Sequence, residues 1–60
     1  MDKLKERCER FIRELGVSVT KFCNRVQLST SAFYAWRTGQ LTLSNATLER
    51  IDSYLQQYNF

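Results

Sequence analysis

The stretch Ser18–Gly39, SVTKFCNRVQLSTSAFYAWRTG, leaves this chain few folds to choose from. Val19, Phe22, Cys23 and Val26 stand at i, i+3, i+4 and i+7, the spacing of one helix face. Phe33 and Trp36 are three apart, with Ala32 beside them, and mark a second inward face. Leu28 lies between the two sets, where it can plug a corner. Ser18 and Ser29 stand at N-cap positions, each with an oxygen able to accept from backbone N–H groups that a helix start leaves unpaired. Gly39 follows the second set, where a left-handed residue often closes a helix. The spacing predicts a helix from about Val19 to Val26, a tight corner at Gln27, and a second helix from about Thr30 to Arg37.

Two helices joined by so short a turn form a helix-turn-helix, a unit that can hold its second helix in the major groove of DNA. The charges agree. From Leu15 to Leu48 there is no acidic residue, while Lys21, Arg25 and Arg37 all fall there. The formal net charge of +3 equals the charge of this middle segment, because the flanks cancel. A basic balance confined to one motif points to a polyanion better than the same balance spread evenly. Taken on charge alone, the three bases also have a blander reading, as ordinary solvated side chains.

The rest of the chain reads as support. Leu4, Cys8, Phe11, Ile12 and Leu15 form one stripe of a helix from about Lys3 to Leu15, with Asp2 as its N-cap. Its other face is charged, with Glu6 four before Arg10 and Glu9 four before Arg13, and reads as self-neutralised. Gly16 ends it, and Val17 packs as the chain turns. Leu41 and Leu43 are expected to fold back over the core from an otherwise polar loop. A fourth helix starts near Asn45 with Ser44 as N-cap. Its inner stripe is Leu48, Ile51 and Leu55, extended by Tyr58, with Tyr54 at the flank. There is no proline, repeat or linker composition. The expectation is one all-α domain over residues 1–60, a compact four-helix helix-turn-helix unit with a short fifth turn as an option.

Sixty residues bury only about 60% of their unfolded surface, so the helices must pack well or chains must associate. No run approaches the roughly 18 apolar residues of a membrane span, which makes the cytoplasm or nucleoid the expected address and excludes a membrane partner. The chain has no histidine and two cysteines. Cys8 and Cys23 both fall on apolar stripes and are expected to be reduced, structural side chains. Two thiols without histidine do not complete a tetrahedral zinc site in one chain unless carboxylates or a second chain join. With no paired carboxylates on one face and no phosphate loop, the sequence offers no enzyme site, no cofactor and no small-molecule substrate.

From Val17 to Leu55 the chain resembles the lambda-repressor-like (Cro- or XRE-type) helix-turn-helix domains. The resemblance rests on GVS before helix two, the small Cys23 inside it, Leu28-Ser29 at the turn, the STSAFYAW run, the Trp-Arg-Thr-Gly close, and TLERIDSYL in helix four. Two positions depart from the family's pattern. Val19 stands where the family often has glutamine, and Gln27 stands where it often has glycine. The resemblance implies a sequence-specific transcriptional regulator that binds double-stranded DNA. It carries base contacts to Thr30, Ser31, Tyr34 and Ala35, and backbone contacts to Thr38, Gln40 and Ser44.

Charge, facing and helix starts add Ser18, Lys21, Arg25 and Arg37 as backbone contacts. Several positions keep a second reading. Thr30 and Ser31 also favour a helix start, and Tyr34 could pack over a neighbour. Tyr54, Tyr58 and Phe60 either finish the core or form a homodimer interface. A protein-interaction module on the same fold, with DNA binding lost, is the rival for the whole chain, and Val19 with the modest charge speaks for it.

Overall fold

A computed structural model of the chain describes residues 3–60. Four helices follow one another among them: α1 (Lys3–Leu15), α2 (Val19–Arg25), α3 (Thr30–Arg37) and α4 (Asn45–Gln56), with no strand. The described chain is all-α. The Asp2 cap expected for α1 lies outside the described residues.

Three helices open with the same device. The Ser18, Ser29 and Ser44 side chains accept from the backbone N–H groups of Lys21 (3.0 Å), Ala32 (3.1 Å) and Thr47 (3.3 Å). Each serine has extended backbone, as an N-cap requires. The same three helices close alike. Leu28, Gln40 and Phe60 donate back to the carbonyls of Cys23, Ala35 and Leu55, five residues earlier. Gln27, Gly39 and Asn59, one position before each donor, hold positive φ of 58°, 86° and 63°. This is the Schellman arrangement, and it pairs carbonyls that a helix end would otherwise leave open. Gln27 thus keeps the left-handed geometry that glycine would adopt without strain. The turn also explains why α2 stops at Arg25: Val26 is its C-cap, one residue short of the expected end.

The core is built from one or more side chains of every helix. Cys8 and Phe11 come from α1, Phe22 and Cys23 from α2 with Val26 behind them, Phe33 and Trp36 from α3, and Ile51 and Leu55 from α4. Each fully buried phenylalanine stabilises by about 1.5–3 kcal/mol relative to exposure. Helix α1 packs on α4, and α2 packs on α3. Leu28 and Leu43 pack against the core from the connections. Both cysteines are buried and neither is in a disulfide, and burial raises the Cys23 thiol above its ordinary range.

Several expected positions differ. Leu15 and Leu41 are exposed rather than packed inward. Leu15 overhangs in the last turn of α1 before Gly16 redirects the chain. Leu41 donates its N–H to Ala35 O (3.2 Å), which holds it beside the end of α3 instead of over the core. At the C-terminus both tyrosines touch Phe11, Tyr58 at 5.3 Å, but they differ in depth. Tyr54 turns to the core, its ring 5.6 Å from Phe11 and 5.8 Å from Phe22, whereas Tyr58 is 43% exposed. On α1 the expected pairs give way to others: Arg10 meets Glu14 at 3.5 Å, and Glu9 reaches Arg37. No helix among the described residues is long and apolar enough to cross a membrane.

Candidate nucleic-acid interface

Helix α3 buries Phe33 and Trp36, so its register is fixed. Ser31, Tyr34 and Thr38 consequently share the exposed side, with Thr30 and Ala35 half-buried at its margins. Tyr34 is 49% exposed, and its ring stands edge-on to Phe33 at 5.9 Å. The phenol is therefore anchored at its base and open at its tip.

The first turn of α3 exposes the Ser31 hydroxyl, while Ser29 is occupied in capping. At the other end, the Thr38 hydroxyl donates within 3.1 Å of both the Tyr34 and Ala35 carbonyls. That bond is common for threonine at a helix end and limits what else the hydroxyl does. Gln40 is exposed just beyond the closing turn.

Lys21 and Arg25 lie four apart on the exposed side of α2. Neither is in an ion pair among the described residues. Arg25 sits near enough to Tyr54 to act on its phenol. Burial is the main cause that raises the Tyr54 pKa; a hydrogen bond and charge interaction with Tyr58 add to it, and Arg25 opposes them. Ser18 and Ser44 open α2 and α4, with Ser44 also within 3.0 Å of the Thr47 hydroxyl.

Arg37 behaves differently from the other bases. Its Nη2 donates to Glu9 Oε2 at 2.8 Å, and its guanidinium carbon is 5.7 Å from the Phe33 ring centre and 6.0 Å from that of Tyr34. It is tied to α1 rather than held out to solvent.

Two of these links escaped the sequence reading. The Glu9–Arg37 pair spans 28 positions and leaves no local pattern. Likewise Arg50 Nε donates to Val26 O at 3.0 Å, bracing the corner between α2 and α3 from α4. The Thr38 bond was legible, since a threonine four residues after a helical carbonyl commonly makes it.

No group of three or more His, Cys, Asp or Glu among the described residues is placed to hold a metal ion. A groove of about 310 Å³ lies between α1 and α4, with Leu4, Arg7, Leu48 and Asp52 in its lining. No residue of α3 lines it, and two of its lining residues, Arg7 and Asp52, form an ion pair.

What the geometry defines is a small all-α domain with a helix-turn-helix at its centre. No protein-family model, curated protein or solved structure matches the chain.

Proposed function

We propose that this chain binds double-stranded DNA with sequence preference, as a small transcriptional regulator whose α3 enters the major groove. The observation that carries the reading is the surface of α2 and α3. It exposes Ser31, Tyr34, Lys21 and Arg25, and no residue from Leu15 to Leu48 is acidic. Such a surface meets a phosphate backbone without repulsion. Hydroxyls read either base type and a methyl meets thymine, so Thr30, Ser31, Tyr34 and Ala35 are the base-reading set. Ser18, Lys21, Arg25, Thr38, Gln40 and Ser44 form the surrounding backbone set, with helix starts offering N–H groups to phosphate. The lambda-repressor-like resemblance of the sequence supports the same arrangement.

One domain supplies few contacts, so useful affinity calls for a homodimer on half-sites about 34 Å apart, one turn of DNA. The work is binding alone, without catalysis or cofactor, and belongs in the cytoplasm at the nucleoid.

Selection from a random duplex pool tests this. An enriched motif supports the reading, and the absence of any enrichment counts against it.

A second reading rests on the apolar part of the same surface. Tyr34 and Leu41 are 49% and 41% exposed, and Leu41 is hydrogen-bonded to the end of α3. An interaction module would use those side chains against another protein. It predicts no enriched duplex and no dependence of binding on Lys21.

A further inference from the structure

One charged link joins α1 to the exposed side of α3. Glu9 accepts from Arg37 at 2.8 Å, and the Arg37 guanidinium lies against both the Phe33 and Tyr34 rings. Phe33 is wholly buried and Tyr34 is half exposed, so the guanidinium connects a fixed ring to a free one. Arg37 Nε is buried and has no hydrogen-bond partner. An orphaned donor is costly. The carboxylate and the two rings, rather than the needs of that nitrogen, therefore decide where the guanidinium plane lies. A guanidinium is suited to this: it is planar, stacks on aromatic faces, and is oriented once one end of its fork is held.

We infer that Glu9 is a positioning residue for DNA recognition: by holding Arg37 against the Phe33 and Tyr34 rings, it fixes the Tyr34 side chain for base reading and keeps Arg37 from phosphate. This rests on the proposed DNA reading. It gives Glu9 two opposite effects on binding. Releasing Arg37 adds a cation free to meet phosphate, which strengthens binding to any duplex. It also frees Tyr34, which weakens discrimination between duplexes. A pair that only held the fold together would not separate these quantities. Deleting a distant negative charge would strengthen all binding and leave the preference unchanged.

The test compares Glu9→Gln, Arg37→Lys and a control, Glu14→Gln, which makes the same charge change at the carboxylate paired with Arg10. Each is titrated with a selected duplex and a scrambled one over a range of salt, with a thermal melt alongside. Glu9→Gln should bind the scrambled duplex more tightly, steepen the salt dependence by about one unit, and lose about fivefold in preference, at the low end of what one base contact supplies. Arg37→Lys keeps the charge without the planar fork and should lose preference similarly. Glu14→Gln should keep it. In the free protein, the Tyr34 ring protons should move toward free-tyrosine shifts in Glu9→Gln and stay put in Glu14→Gln. A Glu9→Gln protein that discriminates as well as a discriminating wild type overturns the inference and leaves the DNA reading standing. A wild type that prefers no duplex removes both, whatever the ring protons do.

Discussion

The α1–α4 half of the domain holds ion pairs within itself, and the α2–α3 half holds none of its own among the described residues. In the first half Arg7 pairs with Asp52 and also donates to the Phe60 carbonyl at 2.7 Å. Gln56 donates to the second Asp52 oxygen at 2.9 Å, Arg10 meets Glu14, and the Arg10 guanidinium lies 5.1 Å from the Phe60 ring centre. In the second half Lys21 and Arg25 are exposed without an ion pair among the described residues, and Arg37 finds its carboxylate only by reaching to α1. Helix termini do not explain the contrast, since α2, α3 and α4 share serine caps and left-handed closures.

The pairs in the α1–α4 half are part-exposed, and such pairs contribute about 0–1 kcal/mol each. What holds that half is the aromatic cluster around Phe11, whose ring lies 5.3–5.6 Å from those of Phe22, Tyr54, Tyr58 and Phe60. The lesson is a division of labour: α1 and α4 form a support braced by its own ion pairs, and α2 and α3 present a surface on which Lys21 and Arg25 remain available.

The largest expected effect comes from removing the pin that fixes the presenting half. Trp36→Ala should cost about 3–5 kcal/mol, comparable with the whole stability of so small a domain. Circular dichroism and a thermal melt measure it. An unchanged melt would mean that Trp36 does not set the register of α3, and the exposed set Ser31, Tyr34 and Thr38 would lose its basis.

A smaller effect compares the two left-handed corners. Gln27 (φ 58°) closes α2 and Asn59 (φ 63°) closes the turn after α4. Asparagine tolerates this conformation far better than glutamine. Gln27→Gly should therefore stabilise by up to about 1 kcal/mol, and Asn59→Gly by less. At about 4–8 °C per kcal/mol in a domain of this size, the difference is readable in Tm. Equal gains would show that the corner of the presenting half carries no special strain.

These corners also show how far the sequence could be read. The helices, the three serine caps and the inward Phe33 and Trp36 follow from spacing within a turn or two of chain, and spacing of that kind is local. Gln27 was legible as an awkward residue for its corner, and it keeps the left-handed turn nonetheless. The difference in depth between Tyr54 and Tyr58 was not legible, because either tyrosine continues the α4 stripe and both rings reach Phe11; it is Tyr54 that also meets Phe22, a contact set by the packing of α2. Glu9 was assigned to Arg13 by the four-residue rule. Its actual partner, Arg37, is brought near by packing between α1 and α3, which no local pattern encodes.

The smallest expected effect is on pH dependence and involves both halves. Burial raises the Cys23 thiol from its ordinary 9.0. Burial, then Tyr58, raises the Tyr54 phenol from its ordinary 10.0. In each case the folded state holds the proton more tightly than the unfolded one. The stability linked to these groups is fully present below the unfolded values and is lost as pH rises through the folded ones. Denaturant melts should therefore show stability falling as pH rises through 9.0, the midpoint of thiol ionisation in the unfolded chain. The double variant Cys23→Ala with Tyr54→Phe should flatten that fall. A double variant with an undiminished alkaline loss would move its origin to other groups.

The central claim is that the α2–α3 half reads DNA with α3 and grips it with α2. The most direct measurement is a binding titration of Tyr34→Ala and Lys21→Ala against a selected and a scrambled duplex at several salt concentrations. Tyr34→Ala should lose about 1–3 kcal/mol on the selected duplex and little on the scrambled one. Lys21→Ala should weaken both alike and reduce the salt slope by about one unit. Equal losses by both variants on both duplexes would contradict base reading by α3, and unchanged binding in both would contradict DNA recognition by this surface altogether.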